Sequence, residues 1–555
     1  MDLNIRIAGE AGQGIKTTGH LLVDAFASMG LWVFSTQSYM SRIRGGLNWQ
    51  DVRVADYPIT SSRENADLLV ALTEEALHTL GEEVREGGIV LFDGKEAEEG
   101  VIPIPFTETA KEKGKAIMAN SVAGGAIFTI LGYPLEPLTG YLDEAFQAKG
   151  EQVVQSNRDL VQRGAELAAA HQGALEAPQP AGAPRKVYDG IEATAISAAV
   201  SGVKFIAAYP MTPSTGVFAW LAKHDEEYGL IAEQAEDEIA AINMACGATY
   251  AGVPAIVTTS GGGMALMSEG ISLAGMLELP MVIMLGQRPG PATGLPTRTA
   301  QGDLLFALRT GHGEFPRAIF APGRPRHCHE LMRHALQTAH RWQTPVIYMM
   351  DQYLGDLRVN GEPLDETPRQ IDRQIMMEAG ADYRRYEITE SGVSPRAIPG
   401  GEAFVSADSD EHDEDGHITE NLEIAQAMMD KRLRKTGGMI AESLPPELYG
   451  DEGGAETLLI CWGSTYLPCR EAVDILRMRG HSAAMLHFAQ IWPLNREAVK
   501  ECIGERRRVV IVEGNAWGQL ASILREQQLV GDVELITRYD GLPFTAIEIA
   551  DRIEG

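Results

Sequence analysis

The sequence predicts an α/β protein of three doubly wound domains, each built on a parallel sheet. Three observations support this. Short β-rich apolar runs alternate with helical patterns: residues 3–8, 32–36 and 88–92, then 205–208, 256–259, 281–285 and 346–350, then 457–461, 483–488 and 509–513. Strands that are apolar on both faces belong to parallel sheets covered by helices on each side. At 555 residues the chain is also too long for a single core. Finally, the composition breaks twice. QGALEAPQPAGAPRK at 172–186 has linker composition, and residues 370–446 are polar, with the acidic run DSDEHDEDG at 408–416. The expected divisions are 1–170, a linker at 171–187, 188–369, a connecting segment at 370–446, and 447–555.

Charge narrows the function. With 77 acidic against 47 basic residues, the formal charge is −30, which disfavours nucleic acid and anionic membranes as partners. A phosphate-bearing ligand would need a local cluster of donors. The N-terminal MDLNIRIAGEAGQG lacks the pattern of a secretory signal, and the apolar runs fall short of a membrane span. The five cysteines are scattered with no CxxC pair, so a reduced, cytoplasmic setting is expected. The clustered thiolates that hold a [4Fe–4S] centre are missing. The acidic run has neither calcium-loop nor HExxH spacing, so no metal site is expected there, and a solvated loop or interface element is.

In a doubly wound sheet, ligands bind beyond the carboxyl ends of the strands, which singles out four passages. The run at 205–208 leads into YPMTPST, where Pro210 and Pro213 flank Met211 and Thr212 and restrict how the threonine is presented. The acidic turn EDE at 236–238 opens an alanine-rich helix, EIAAINMACGATYAG, whose start favours an ionised Glu238. SGGG at 260–263 lets the backbone approach a planar or anionic ligand closely. The run at 281–285 leads to QRPGPATGLPTRTAQGD, in which Arg288 suits bidentate capture of a carboxylate. Near the N-terminus, GEAGQGIKTTG has glycines at 9, 12 and 14. This GxxGxG turn aims helix amides at a phosphate but departs from the GxGxxG dinucleotide fingerprint.

YPMTP, the EIAAINMACGATYAG helix and QRPGPATGLPTRTAQ resemble the alpha subunits of the 2-oxoacid:ferredoxin oxidoreductases. The first 170 residues, including SRIRGG at 41–46, resemble the gamma subunit of the same enzymes. LICWGST and VVIVEGNAWGQL resemble their transketolase C-terminal-like domain. The order, gamma before alpha in one chain, is most similar to 2-oxoglutarate enzymes. The resemblance implies a thiamine diphosphate site shared with a beta subunit that also carries Mg²⁺ and the [4Fe–4S] cluster, with ferredoxin as redox partner and coenzyme A as co-substrate. A dimer of alpha–beta heterodimers is the implied assembly.

The resemblance gives Glu238, Thr212 and Arg288 catalytic roles. Glu238 would share a proton with N1′ of the aminopyrimidine, with Glu236 as the alternative register. Arg288, Thr297 and Thr212 would bind substrate, and Tyr209, Pro210, Glu238, Gly261 and Gly262 would hold the cofactor. Gly9, Gly12, Gln13, Gly14, Arg42 and Arg44 would contact coenzyme A. Pyruvate or branched-chain 2-oxoacids are the alternative substrates. A non-catalytic coenzyme A-binding scaffold and an NAD-linked oxidoreductase are readings of other classes. The YPIT at 57–60 lacks the following proline and is read as coincidence.

Overall fold

The structure is a computed structural model that describes residues 1–41, 45–113, 115–180, 182–450 and 454–555. It forms two compact units. One comprises 1–189 with 356–363 and 545–547, and the other comprises the remaining residues.

The first unit is built on an eight-stranded sheet, ordered Val101–Pro103, Val84–Phe92, Ala66–Ala71, Asp2–Glu10, Leu47–Ala55, Trp32–Ser38, Arg358–Gly361 and Lys186–Tyr188. The first four strands run parallel, as expected, and every later pairing is antiparallel. The cause is local. Only eight residues separate Trp32–Ser38 from Leu47–Ala55, fewer than the dozen or so a parallel crossover needs, so the chain returns as a hairpin.

Two expected boundaries also shift. Residues 358–361, assigned from sequence to the second domain, form a strand of this first sheet. Asn360 fixes it there, accepting from the Val33 N–H (3.1 Å) and donating to the Leu31 carbonyl (2.6 Å). The segment read as a linker is docked rather than free. Leu175 and Ala177 are buried in the first core, and Lys186–Tyr188 pairs with Arg358–Gly361.

The second unit holds two sheets. The seven-stranded sheet is ordered Gln490–Trp492, Ala318–Phe320, Pro345–Asp351, Met281–Gln287, Ala255–Ser260, Phe205–Ala208 and Ile231–Gln234. It is parallel except for its Gln490–Trp492 edge. The five-stranded sheet is ordered Glu447–Tyr449, Ala483–Phe488, Thr457–Trp462, Arg508–Glu513 and Glu534–Thr537, and is parallel except for its first strand. One continuous apolar core joins them: Ile283 and Ile347 of the larger sheet belong to the same buried cluster as Ile460, Leu486 and Ile511 of the smaller. The two sheets expected as separate domains therefore share a core.

The polar segment expected to connect them is anchored to that core. Asn421 caps helix Leu422–Ala441, accepting from the Glu423 N–H (2.9 Å). This helix buries Lys431 and Lys435 against Glu278. Glu411, in the acidic run, receives both terminal nitrogens of Arg432 at 2.9 and 2.6 Å, and the buried His412 ring lies 4.0 Å from that of Tyr386. The acidic run is thus a packed loop with a charged rim. Among the described residues, no helix is long and apolar enough to cross a membrane.

Candidate active site

Strands Phe205–Ala208, Ile231–Gln234, Ala255–Ser260 and Met281–Gln287 lie side by side and run in the same direction. The residues just after them therefore gather along one edge of the sheet: Tyr209–Thr212, Glu238, Gly261–Gly262 and Arg288. This is the carboxyl-end crevice where α/β sheets place their ligands.

Glu238 is the first residue of helix Glu238–Tyr250. The extended Asp237 caps that helix, its carboxylate accepting from the Ala240 N–H at 2.7 Å. The cap turns Glu238 inward. It is 3 % exposed, and its Oε1 is buried without a hydrogen-bond partner among the described residues. A buried acceptor left unpaired costs about 1–3 kcal/mol. Such a cost persists where a ligand supplies the missing donor. Glu236, the alternative, points to solvent.

The glycine triplet explains how a carboxylate fits at this edge. A Cβ on Gly263 would lie 2.6 Å from Glu238 Oε1, and one on Gly261 would lie 2.7 Å from Asp303 Oδ2. A side chain at either position would displace one of these carboxylates, so the triplet carries a carboxylate at each end. Gly262, between them, is exposed, as is Tyr209, while Pro210 and Thr212 are half-buried.

Arg288 Nη1 donates to the Thr212 carbonyl at 2.8 Å, joining the first and last of the strand ends. Ser214 donates its hydroxyl to the Met211 carbonyl (2.8 Å) instead of capping the following helix, which tightens the YPMTP turn. Burial pushes the Asp303 carboxyl up to about 6, against the opposing pull of Arg288, and its Oδ2 also lacks a hydrogen-bond partner among the described residues. Burial in turn lowers the proton affinity of Arg288, partly offset by Asp303.

Asp303 had no signal in the sequence, being one polar residue in a loop. Gln301 is a second such residue. It donates from Nε2 to the Trp462 carbonyl (2.7 Å) and accepts from the Gly514 N–H (2.7 Å), pinning the 288–303 loop onto the strand ends of the five-stranded sheet. Thr297 lies half-buried in that loop.

In the first unit, Gly9, Gly12, Gln13 and Gly14 lie between strand Asp2–Glu10 and helix Ile15–Ser28. Gln13 closes the turn, accepting from the Glu10 N–H at 2.6 Å. Gly14 caps the helix with φ +81, a conformation costly for any residue with a Cβ. A cavity of about 440 Å³ opens beside the turn, lined by Glu10, Gly12, Gly14, Lys16, Tyr39 and Trp49 among others. Arg42 and Arg44 lie outside the described residues. The YPIT at 57–60 belongs to this unit, where Tyr57 donates its hydroxyl to Asp2 (2.8 Å).

Three family profiles match in tandem. Residues 4–167 match pyruvate ferredoxin/flavodoxin oxidoreductase, 197–431 match the thiamine diphosphate-binding part of pyruvate flavodoxin/ferredoxin oxidoreductase, and 449–545 match the transketolase C-terminal domain. The alpha subunit of 2-oxoacid:ferredoxin oxidoreductase 2 from Aeropyrum pernix is 30% identical, over 100% of this chain and 97% of its own. The chain belongs to the 2-oxoacid:ferredoxin oxidoreductase family.

Within that oxidoreductase family it is of the alpha-subunit type, with the gamma-like part fused upstream of the thiamine diphosphate-binding domain. The 2-oxoglutarate oxidoreductase subunit KorA of Mycobacterium tuberculosis is 30% identical over 98% of this chain and 90% of its own. A solved 2-oxoglutarate:ferredoxin oxidoreductase from Magnetococcus marinus, holding 2-oxoglutarate, coenzyme A and succinyl-CoA, superposes with a TM-score of 0.91 at 32% identity. That match covers 100% of this chain and 99% of the other.

Proposed function

We propose that this chain seats the aminopyrimidine half of thiamine diphosphate in a coenzyme A-dependent 2-oxoacid:ferredoxin oxidoreductase whose substrate is 2-oxoglutarate. The observation that carries the reading is the buried, unpartnered Oε1 of Glu238 at the carboxyl edge of the sheet. That atom fits a ring nitrogen able to share a proton with it. When bound, thiamine diphosphate supplies an electron sink for decarboxylating a 2-oxoacid.

The chain's own residues do the rest. Glu238 holds a proton at N1′. Arg288, anchored through one nitrogen to the Thr212 carbonyl, keeps its remaining N–H groups for the substrate 1-carboxylate. Thr212 and Thr297 line the substrate side, and Tyr209, Pro210, Gly261 and Gly262 form the surface against the cofactor. In the first unit, the Gly9–Gly14 turn and its cavity are the proposed coenzyme A contact.

A beta subunit completes the site, holding Mg²⁺, the cofactor's diphosphate and the [4Fe–4S] cluster that passes electrons to ferredoxin. Two alpha–beta pairs assemble in the cytoplasm. The preference for 2-oxoglutarate over pyruvate or branched-chain acids is supported by the gamma–alpha order and by the named activities of the Mycobacterium and Magnetococcus proteins. A non-catalytic scaffold would have no need of an unpaired buried carboxylate. The test is to purify the chain anaerobically with its native partner and assay coenzyme A-dependent viologen reduction with 2-oxoglutarate, pyruvate and 2-oxoisovalerate. Fastest turnover on 2-oxoglutarate is expected. Preference for another acid would overturn the substrate assignment, and inactivity with all three would overturn the proposal.

A further inference from the structure

A second cluster of donor groups lies in the second unit, away from the residues assigned to thiamine. His327 stands in the first turn of helix Pro325–Trp342. Glu447 and His487 face one another as paired residues of neighbouring antiparallel strands, which puts their side chains on the same face of the five-stranded sheet. One donor atom from each of the three lies within 4.8 Å of the others, and His327 Nε2 is 3.2 Å from Glu447 Oε2. Both histidines are buried, and the glutamate is half-buried.

Hydrogen bonding leaves these groups unsatisfied. Among the described residues, neither ring nitrogen of His487 has a hydrogen-bond partner. The Gly463 backbone is the nearest acceptor to the His487 ring, and the Nδ1 of His327 is left with none among the described residues. Buried polar atoms in folded proteins are almost always paired, so orphaned imidazole nitrogens beside a carboxylate call for a ligand.

Tyr466 braces all three groups. Its hydroxyl donates to Glu447 Oε1 at 2.8 Å, leaving Oε2 turned toward the histidines. Its ring packs edge-on against both imidazoles, with centroids 4.9 and 4.8 Å away. Such outer partners orient the ligands of a metal site.

We propose that His327, His487 and Glu447 bind a divalent transition-metal ion, zinc by the donor set, which clips helix Pro325–Trp342 to the five-stranded sheet. Two imidazoles and one carboxylate form a three-ligand zinc set, with a water completing four-coordination. Zinc bonds of about 2 Å require the three donor atoms to draw closer together than they stand, so the two imidazoles and Glu447 would each turn inward as the ion binds. No motif in the sequence announces the site, because its ligands come from positions 327, 447 and 487 and meet only in the fold.

The test uses the full-length chain, untagged and expressed in zinc-supplemented medium, with zinc counted by mass spectrometry. About one zinc per chain is expected in the wild type. His487→Gln and Glu447→Gln should each lose it while keeping the wild-type circular dichroism. Chelator treatment should lower the melting temperature, with zinc restoring it. Cobalt added to the stripped chain should give the visible absorption of a four-coordinate site. If His487→Gln does not fold, Glu447→Gln decides, since its side chain reaches the surface. Zinc-free wild type, or zinc retained at wild-type level in Glu447→Gln, would overturn the proposal.

Discussion

Arg288 illustrates how much one side chain's geometry contributes. Its guanidinium gives one N–H to the Thr212 carbonyl and keeps a fork of further N–H groups besides. A lysine would keep the charge but lose the fork. Arg288→Lys should therefore cost about ten- to a hundredfold in kcat/KM for the 2-oxoacid, the loss of one charge-assisted hydrogen bond, with little change in thiamine diphosphate affinity. Steady-state kinetics and cofactor titration on the assembled enzyme would check both halves.

Asp303 makes a prediction of a different kind. Burial raises its carboxyl from an ordinary 3.8 to about 6. Between those values the folded chain holds a proton that the unfolded chain has released, so this group costs stability as pH rises through that window. Asp303→Asn should accordingly stabilise the isolated chain at pH 7 by roughly 1–2 kcal/mol, discounted for partial exposure, and have little effect at pH 4. Denaturant unfolding at the two pH values is the measurement. Equal effects at both would show that the carboxyl is not raised. The strand-end positions of Glu238 and Arg288 were legible in the sequence because both follow strands inside extended motifs. Asp303 and Gln301 were not, because loops carry no period and their contacts exist only once the sheets have packed.

The connecting helix Leu422–Ala441 depends on a buried ion cluster. Lys431 Nζ lies 2.6 Å from Glu278 Oε1, and Lys435 contacts the other oxygen, all three groups being almost wholly buried. Burial opposes the charge on Glu278, yet Lys435 and Lys431 outweigh it and hold the carboxyl below the usual range. Glu278→Ala would strand two buried ammonium groups and should destabilise the second unit by about 3–5 kcal/mol, read from the shift in its denaturation midpoint. A change under about 1 kcal/mol would mean that the cluster is open to water. This helix marks the limit of reading elements from sequence. Its polar composition reads as a connecting segment, whereas two lysines pointing inward make it part of the core. Strands at 205–208 and 483–488 were legible to the residue, being apolar and β-rich. The strand Leu47–Ala55 was missed because polar Asn48, Gln50, Asp51 and Arg53 break up the apolar run that marks the other strands, and those polar side chains are buried, with hydrogen bonds such as Arg6–Asp51 (2.7 Å). The strand Arg358–Gly361 was misassigned because chain order says nothing about which sheet a short strand joins.

At the scale of the whole molecule, the account assigns this chain half of a shared site. Four of its five cysteines are buried and Cys502 is half-buried, and among the described residues none of them falls in a group that could hold a metal. The chain purified alone should be colourless and should reduce no viologen until the beta subunit is added. A stoichiometric [4Fe–4S] spectrum from the reconstituted isolated chain would contradict that division of labour. The central claim, that Glu238 activates the cofactor, is tested most directly by the rate at which the C2 proton of bound thiamine diphosphate exchanges with deuterium in the assembled enzyme. Glu238→Gln, which cannot share a proton with N1′, should slow exchange by about 10²- to 10⁴-fold while the cofactor remains bound, and Glu236→Gln should exchange like the wild type. Wild-type exchange in Glu238→Gln would contradict the account.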